Sequence, residues 1–270
     1  LSKINQLNSG ISPIYEPGLD ELIKKNHKAK RLYFTSDLKK AITVSDIIFI
    51  CVGTPNIKGS LKVDLSSVFK CTKEILAITK KKKIIVTKST VPIGTGDQIE
   101  NIIKKKKKLF SVISNPEFLR EGEAIRDFRY PDRIIIGSNS KNEFKTMKKL
   151  YSPLINKGAK FFTTSRRGAE LIKYAANAFL ATKITFINEI ANLCEKSGIN
   201  IEDIALGIGS DTRIGSRFLR PGPAYGGSCF PKDTKGLVSA AEKFKTNLSI
   251  VKSVIKSNQD RINLLIKRVH

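Results

Sequence analysis

With 270 residues and 40% hydrophobic content, the chain can form one large or two ordinary domains, and no apolar run reaches the roughly 18 residues of a membrane span. Its 49 basic and 24 acidic residues give a net charge of +25, but the lysines lie in short runs without interleaved aromatic residues, so we expect neither a nucleic-acid nor a membrane partner. Four scattered cysteines without C-x-x-C spacing favour a reducing cytoplasm and no metal site.

Short β-branched runs alternate with amphipathic stretches between residues 31 and 165. The pattern predicts strands at 31–35, 46–52, 83–89, 109–114, 133–137 and 160–164, and helices at 18–26, 65–79, 94–103 and 141–155. Continuously apolar runs such as Ile47–Ile50 suit strands buried on both faces of a parallel sheet. We therefore predict an α/β, doubly wound, Rossmann-type sheet over residues 1–166. The lysine runs at 80–83 and 104–108 are predicted to be solvated linkers.

The remaining residues, 167–270, are predicted to form an all-α domain with one long helix. Residues 168–197 contain no proline and repeat apolar side chains at helical spacing, among them Phe179, Phe186 and Leu193. A helix of about 30 residues is roughly 45 Å long, more than one small core needs, and such a helix often bridges domains or subunits. Further helices are predicted at 201–208, 234–245 and 248–269.

A dinucleotide-binding sheet usually opens with a strand, a G-x-G-x-x-G turn and a helix, followed by an acidic residue about 20 positions later. The chain contains none of these features. The sheet is therefore expected to be incomplete at its start.

The segment 222–233, GPAYGGSCFPKD, places a cysteine between a glycine turn and a predicted helix start. Lys232 and the helix N-terminus would favour the thiolate of Cys229, as for a nucleophile. The alternative is a cysteine that only packs, with Asp233 as an ordinary helix cap.

A series of motifs accompanies this segment along almost the whole chain: IYEPGL (14–19), VGTP (52–55), KSTVP (88–92), NPEFLREG (115–122), KYAAN (173–177) and RIG (213–215). In order and approximate spacing they resemble the nucleotide-sugar dehydrogenases. The Cys-Phe pair at 229–230 resembles the UDP-glucose branch of that family, because GDP-mannose enzymes usually carry leucine after the cysteine. The resemblance covers an internal portion of the family, so we expect the chain to lack both the first strand-turn-helix and the C-terminal UDP-binding domain.

The resemblance implies an NAD-dependent, four-electron oxidation of the C6 hydroxyl of UDP-glucose to the carboxylate. An aldehyde would form first, add to Cys229 as a thiohemiacetal, and be oxidised to a thioester that water hydrolyses. Covalent capture retains the aldehyde between the two oxidations. The resemblance also implies a homodimer through the long helix.

Further catalytic roles follow from the same resemblance. Lys173 and Asn177, four residues apart on one helix face, would stabilise the developing oxyanion. Asp233 would serve the proton and water chemistry, and whether it or Lys173 removes the first proton stays open. Glu117 would be the base for thioester hydrolysis, with Thr90 positioning water. The alternative for Lys173 and Asn177 is a solvated helix face. The alternative for Glu117 and Thr90 is that they are ordinary polar residues of loops.

Ligand contacts are implied in the same way. Substrate contacts would come from Glu117, Phe118, Leu119, Lys173, Asn177, Arg213, Tyr225, Gly226 and Gly227, with Arg213 often reaching across the dimer interface in this family. Cofactor contacts would come from Thr54, Thr90, Glu121 and Lys232.

Three alternatives to UDP-glucose oxidation differ in class. A sister enzyme would act on GDP-mannose or another UDP-sugar. A non-catalytic remnant would only dimerise. A basic nucleic-acid-binding module would rest on charge alone.

Overall fold

The computed structural model describes residues 2–269, which form two compact units. The first unit comprises the residues up to 53 together with 65–170, and the second comprises 54–64 together with the residues from 171 onward. The units therefore divide between residues 170 and 171, inside one long helix, whereas the sequence suggested a boundary between 166 and 167.

The first unit alternates helices with five strands. Its helices are α1 (Ser2–Asn8), α2 (Leu19–Lys28), α3 (Leu38–Val44), α4 (Ser66–Ile78), α5 (Thr95–Ile103), α6 (Ala124–Arg129), α7 (Lys141–Leu150) and α8 (Ser152–Ile155), with a 3-10 helix at Lys104–Leu109. Its strands are β1 (Ile47–Ile50), β2 (Lys83–Thr87), β3 (Phe110–Ser114), β4 (Arg133–Gly137) and β5 (Lys160–Thr164).

The five strands form one sheet in the order β1-β2-β3-β4-β5. β1, β2 and β3 are mutually parallel, and β4 is parallel to β5. β3 and β4 run antiparallel and pair only where Ser114 lies opposite Gly137. The sequence predicted a parallel sheet, so this reversal is a difference from the prediction. It arises because the chain that leaves β3 continues alongside β4 in the opposite direction. There the Arg133 guanidinium lies 4.2 Å from the centroid of the Phe118 ring.

Apolar side chains of alternate strand residues enter two separate cores. Ile85 and Val112 belong to one cluster, which includes Val68 of α4 and Ile99 of α5. The neighbouring strand residues Val86 and Ile113 belong to the other cluster, with Met147 of α7. Since successive strand residues point to opposite faces, the sheet is covered on both faces. The predicted Rossmann-type α/β fold is thereby confirmed.

Two predicted elements of the first unit were wrong. Residues 31–35 form no strand: Tyr33 is 69% exposed, and no partner in the described chain forms a ladder with this segment. The predicted helix 141–155 is two helices, because Tyr151 leaves helical geometry (φ −90°, ψ 5°) and Pro153 starts a new first turn.

Lys83 is not solvated, although it belongs to a lysine run. It is 5% exposed, and its Nζ donates to the carbonyl oxygens of Thr43 (3.1 Å) and Ser45 at the end of α3. A cation at a helix C-terminus satisfies carbonyl groups that have no partner within the helix. The prediction of a solvated linker was therefore wrong at this residue.

The second unit is helical in its main part. α9 (Arg166–Ser197) has 32 residues, and α10 (Ile201–Gly209), α11 (Phe230–Lys243) and α12 (Ser249–Val269) follow it. Tyr174 and Ala178 of α9 form one cluster with Leu237 of α11. Within residues 2–269, no helix combines the length and apolar composition that a membrane span requires.

Gly236 allows α11 to approach α9 closely at Tyr174. A Cβ at residue 236 would lie 2.8 Å from Cε1 of the fully buried Tyr174 ring. We expect Gly236→Ala to lower the free energy of unfolding by about 1–3 kcal/mol through overpacking. Denaturant unfolding measures the change. Gly207→Ala in α10 is the control, because a Cβ there meets no atom within 4 Å and should not destabilise. Equal stabilities of the two variants would contradict the prediction.

Candidate active site

The carboxyl ends of β1, β2 and β3 meet at one edge of the sheet, where ligands of open α/β folds bind. The Ser89 hydroxyl donates to the Val52 carbonyl oxygen over 2.7 Å and so joins the loops after β1 and β2. Thr87, at the end of β2, is 1% exposed, and its hydroxyl has no hydrogen-bond partner within the described residues. The predicted cofactor residue Thr90 follows in the same loop.

The loop after β3 is fixed by a buried amide. Asn115 is 1% exposed; its Oδ1 accepts from Tyr151 Oη (2.6 Å) and Lys88 Nζ (3.4 Å), and its Nδ2 donates to the Ile135 carbonyl oxygen (2.9 Å). Burial raises the pKa of Tyr151 to about 12, so the phenol remains a proton donor at neutral pH. The direction in which this loop leaves the sheet is therefore set by side chains on neighbouring elements.

The predicted substrate residues Glu117, Phe118 and Leu119 lie on this loop, together with the predicted cofactor residue Glu121. A Glu117 carboxylate oxygen accepts from the Leu119 backbone N–H (2.6 Å). The distant Glu16 carboxylate accepts from the backbone N–H groups of Gly122 (2.9 Å) and Ala124 (2.8 Å). The motif around Glu16 thus braces the far end of the loop.

Glu170 of α9 is a buried acid that the sequence did not mark as important. It is 3% exposed, and its carboxylate accepts from the backbone N–H groups of Gly94 (2.6 Å) and Gly96 (2.8 Å), at the start of α5, and from Ser114 Oγ (3.0 Å). Burial raises the pKa of Glu170, and the two backbone donors oppose that rise. The contacts anchor α5 to the end of β3 and the start of α9.

We expect Glu170→Gln to lower the free energy of unfolding by about 1–3 kcal/mol, because the new amide group must face at least one backbone N–H donor. Urea unfolding followed by circular dichroism checks this. The exposed Glu21 supplies the control, Glu21→Gln. An unchanged midpoint for Glu170→Gln would show that the carboxylate is not needed as a double acceptor.

In the second unit, Cys229 is the N-cap of α11, which begins at Phe230 and not at the predicted residue 234. Pro231 is compatible with the first helical turn, where its missing N–H has no intrahelical partner to lose. Gly227 adopts a left-handed φ of 75° just before the cysteine, and Ser228 Oγ lies 3.5 Å from Cys229 Sγ. The thiol is half-buried and stands at the positive end of a helix dipole.

A buried polar cluster lies one turn beyond the thiol. Asp233 is 0% exposed; its Oδ2 accepts from Asn177 Nδ2 and its Oδ1 from Lys232 Nζ, each over 2.6 Å. Its backbone N–H donates to the Cys229 carbonyl oxygen (2.8 Å). Lys173, one turn before Asn177 on α9, is also buried. The structure thus brings together five of the predicted site residues within one unit.

The other predicted residues are placed differently. Arg213 is exposed and forms an ion pair with Asp211 (2.6 Å), which lowers the pKa of Asp211. Thr54 is buried and belongs, with Lys232, to the second unit, whereas Thr90 and Glu121 belong to the first. Tyr225 is buried, which raises the pKa of its phenol, and the exposed Gly226 and Gly227 follow it.

Residues 1–155 match the NAD binding domain of the UDP-glucose/GDP-mannose dehydrogenase family, and residues 167–260 match its central domain. The chain belongs to this family. It is 51% identical to the UDP-glucose 6-dehydrogenase of Rhizobium meliloti (strain 1021) over 99% of this chain and 62% of the relative. It is 47% identical to a UDP-glucose 6-dehydrogenase of Bacillus subtilis (strain 168) over 98% of this chain and 60% of that relative. The resemblance inferred from the motifs is thereby confirmed.

Solved structures agree with this family membership. A UDP-glucose dehydrogenase from Pyrobaculum islandicum superposes with a TM-score of 0.90 at 35% identity, over 96% of this chain and 60% of that one. A GDP-mannose dehydrogenase from Pseudomonas aeruginosa superposes with a TM-score of 0.75 at 34% identity, over 97% and 62%. The chain thus spans about 60% of the length of the relatives it matches.

The geometry of this sheet edge is compatible with NAD, the ligand of the family domain that residues 1–155 match. Parallel strands end together there, and β2 ends at Thr87, whose buried hydroxyl has no hydrogen-bond partner within the described residues. Thr90 and Glu121 follow strand ends of the same sheet.

Proposed function

We propose that this chain carries the sheet edge and the nucleophilic thiol of an enzyme that oxidises the C6 hydroxyl of UDP-glucose to a carboxylate with NAD. The observation that supports this most is the half-buried Cys229 at the N-terminus of α11, one turn from the buried cluster of Lys232, Asp233 and Asn177. The names of relatives 46–51% identical to this chain support the choice of UDP-glucose.

In the proposed chemistry, NAD would supply the hydride acceptor for each of two successive oxidations. The Cys229 thiol adds to the C6 aldehyde, forming a sulfur–carbon bond while the carbonyl oxygen takes up a proton. Loss of a hydride from that carbon to a second NAD, together with loss of the hydroxyl proton, leaves a thioester. Water then adds to the thioester, the carbon–sulfur bond breaks, and the thiol and the carboxylic acid are released.

Asn177 and Lys173 are the proposed donors to the oxygen on the reacting carbon. An amide nitrogen carries two hydrogens, and Asp233 accepts one of them over 2.6 Å, which fixes the orientation of Asn177. The contact with Asp233 therefore also fixes the direction in which the second hydrogen of Asn177 points. A buried ammonium group at Lys173 would stabilise negative charge more strongly than a solvated one.

Glu117 and Thr90 are proposed to act in thioester hydrolysis, as general base and as a residue that positions water. Phe118, Leu119, Arg213, Tyr225, Gly226 and Gly227 are proposed substrate contacts, and Thr54, Thr90, Glu121 and Lys232 are proposed cofactor contacts. The exposed Arg213 guanidinium suits a phosphate or a sugar hydroxyl.

The assay that tests this function incubates the full gene product with NAD and UDP-glucose and measures both NADH and UDP-glucuronate. Two NADH molecules should form per acid. GDP-mannose is the comparison substrate, because a solved GDP-mannose dehydrogenase is 34% identical to this chain. A higher kcat/KM for GDP-mannose would overturn the substrate, and an absence of turnover with any nucleotide sugar would overturn the enzymatic function.

We also propose that the long helix α9 forms a homodimer interface. Leu171, Phe179, Phe186 and Leu193 recur at helical spacing along it and are 42–67% exposed. A stripe of large exposed apolar side chains is unfavourable in water and marks a contact surface.

Phe179→Glu is therefore expected to convert a dimer to a monomer, because a charge would be desolvated in the apolar interface. Light scattering at several concentrations gives the mass. The exposed Lys196 on the same helix provides the control, Lys196→Ala, which should remain dimeric. A monomeric wild-type protein would refute the interface.

A further inference from the structure

The segment Gly222–Tyr225, which leads into the cysteine turn, contains no helix or strand of its own. Buried backbone polar groups in such a segment need partners from elsewhere in the molecule. Three side chains of α9 and α12 supply them: Asn188, Asn258 and Arg261. These three side chains are called the polar clamp below.

Gly222 is bound through both its backbone N–H and its carbonyl oxygen. Its N–H donates to Asn188 Oδ1 (2.8 Å), and its carbonyl oxygen accepts from Arg261 Nε (2.7 Å). The Arg261 guanidinium also donates to the Asn188 carbonyl oxygen (3.1 Å) and to Asn192 Oδ1 (2.7 Å), so α12 is joined to α9 at the same point.

Tyr225 is bound by a single amide. Its N–H donates to Asn258 Oδ1 (2.8 Å), and its carbonyl oxygen accepts from Asn258 Nδ2 (3.1 Å). Both residues are buried. The Tyr225 ring packs edge-on against Phe230, with 6.3 Å between the centroids, and Phe230 directly follows Cys229. Tyr225 therefore links Asn258 of α12 to Phe230, the first residue of α11.

We propose that the polar clamp is a set of positioning residues that fixes the cysteine turn, and hence Cys229, relative to α9 and α12. The proposal rests on the proposed function for its catalytic consequence. The clamp residues act through the backbone of the turn and not on the substrate.

The two asparagines should respond to different degrees to the same substitution. Asn188 Nδ2 has no hydrogen-bond partner within the described residues, so Asn188→Asp keeps the oxygen that accepts from Gly222. Asn258 uses both ends of its amide, so Asn258→Asp loses the donor and places an oxygen against the Tyr225 carbonyl. Two facing acceptors repel each other and leave a buried carbonyl unsatisfied.

The experiment compares Asn188→Asp, Asn188→Leu and Asn258→Asp in the full gene product, with Asn263→Asp on the exposed face of α12 as the matched control. Iodoacetamide alkylation of each cysteine is followed by peptide mass spectrometry, and kcat and KM are measured in parallel. Asn258→Asp and Asn188→Leu should raise the alkylation rate of Cys229 several-fold and lower kcat by about 10-fold or more, with a smaller change in KM. Asn263→Asp should stay within about 2-fold of wild type, and Asn188→Asp, which keeps the acceptor for Gly222, should change both quantities less than Asn258→Asp does.

Cys71 and the buried Cys194 report on general unfolding in the same samples. If their alkylation rises together with that of Cys229, the clamp only stabilises the fold and the positioning role is refuted. Equal behaviour of the two Asn→Asp variants also refutes it. A wild-type protein without turnover would overturn the proposed function separately, while a selective change at Cys229 would still support the clamp.

Discussion

Cys229→Ser should abolish the formation of UDP-glucuronate while the protein remains folded. The serine hydroxyl is far less nucleophilic than a thiolate at neutral pH, so the aldehyde would not be captured for the second oxidation. Steady-state formation of UDP-glucuronate from UDP-glucose should fall by at least about 10³-fold. The half-buried position at the start of α11 accommodates the smaller oxygen without a steric conflict, so stability should change little.

Cys71→Ser in α4 is the matched control, because Cys71 is also half-buried but lies in the first unit, away from the proposed nucleophile in the chain. It should keep normal turnover. Release of free aldehyde by Cys229→Ser alone would place the thiol at the capture step. Wild-type acid formation in Cys229→Ser would show that another group is the nucleophile.

Much of the fold could be predicted from the sequence because its signals are local. The continuously apolar strands and the long helix appear as runs or periodic repeats within a few residues. Errors occurred where tertiary contacts override the local pattern. Lys83 lies in a lysine run that suggests solvent, yet it is buried against the end of α3. Residues 31–35 have strand-like composition, but a strand also needs a neighbour, which composition does not encode.

The candidate site, like the fold, could be predicted from the sequence only in part. Motifs marked Cys229, Lys173, Asn177 and Asp233 as candidate site residues, and the structure places all four in the second unit. Glu170 and Asn258 could not be found by such reasoning, because their partners are distant in the chain. Gly96 and Glu170, for example, are separated by 74 residues. A single buried acid or amide in a helix gives no local signal of the backbone groups that it will bind.

Lys173→Ala should damage the chemical step far more than the binding of the ground state. Lys173 is 4% exposed, so its charge acts in a weakly screened environment on any oxyanion that develops nearby. We expect kcat to fall on the order of 10²-fold or more with little change in KM, because this interaction strengthens only in the transition state. Lys196→Ala, at an exposed position near the end of the same helix, controls for the loss of a lysine from α9. Measurements of kcat and KM with UDP-glucose separate the two roles: a rise in KM at constant kcat would make Lys173 a binding residue, and unchanged kinetics would remove it from the site.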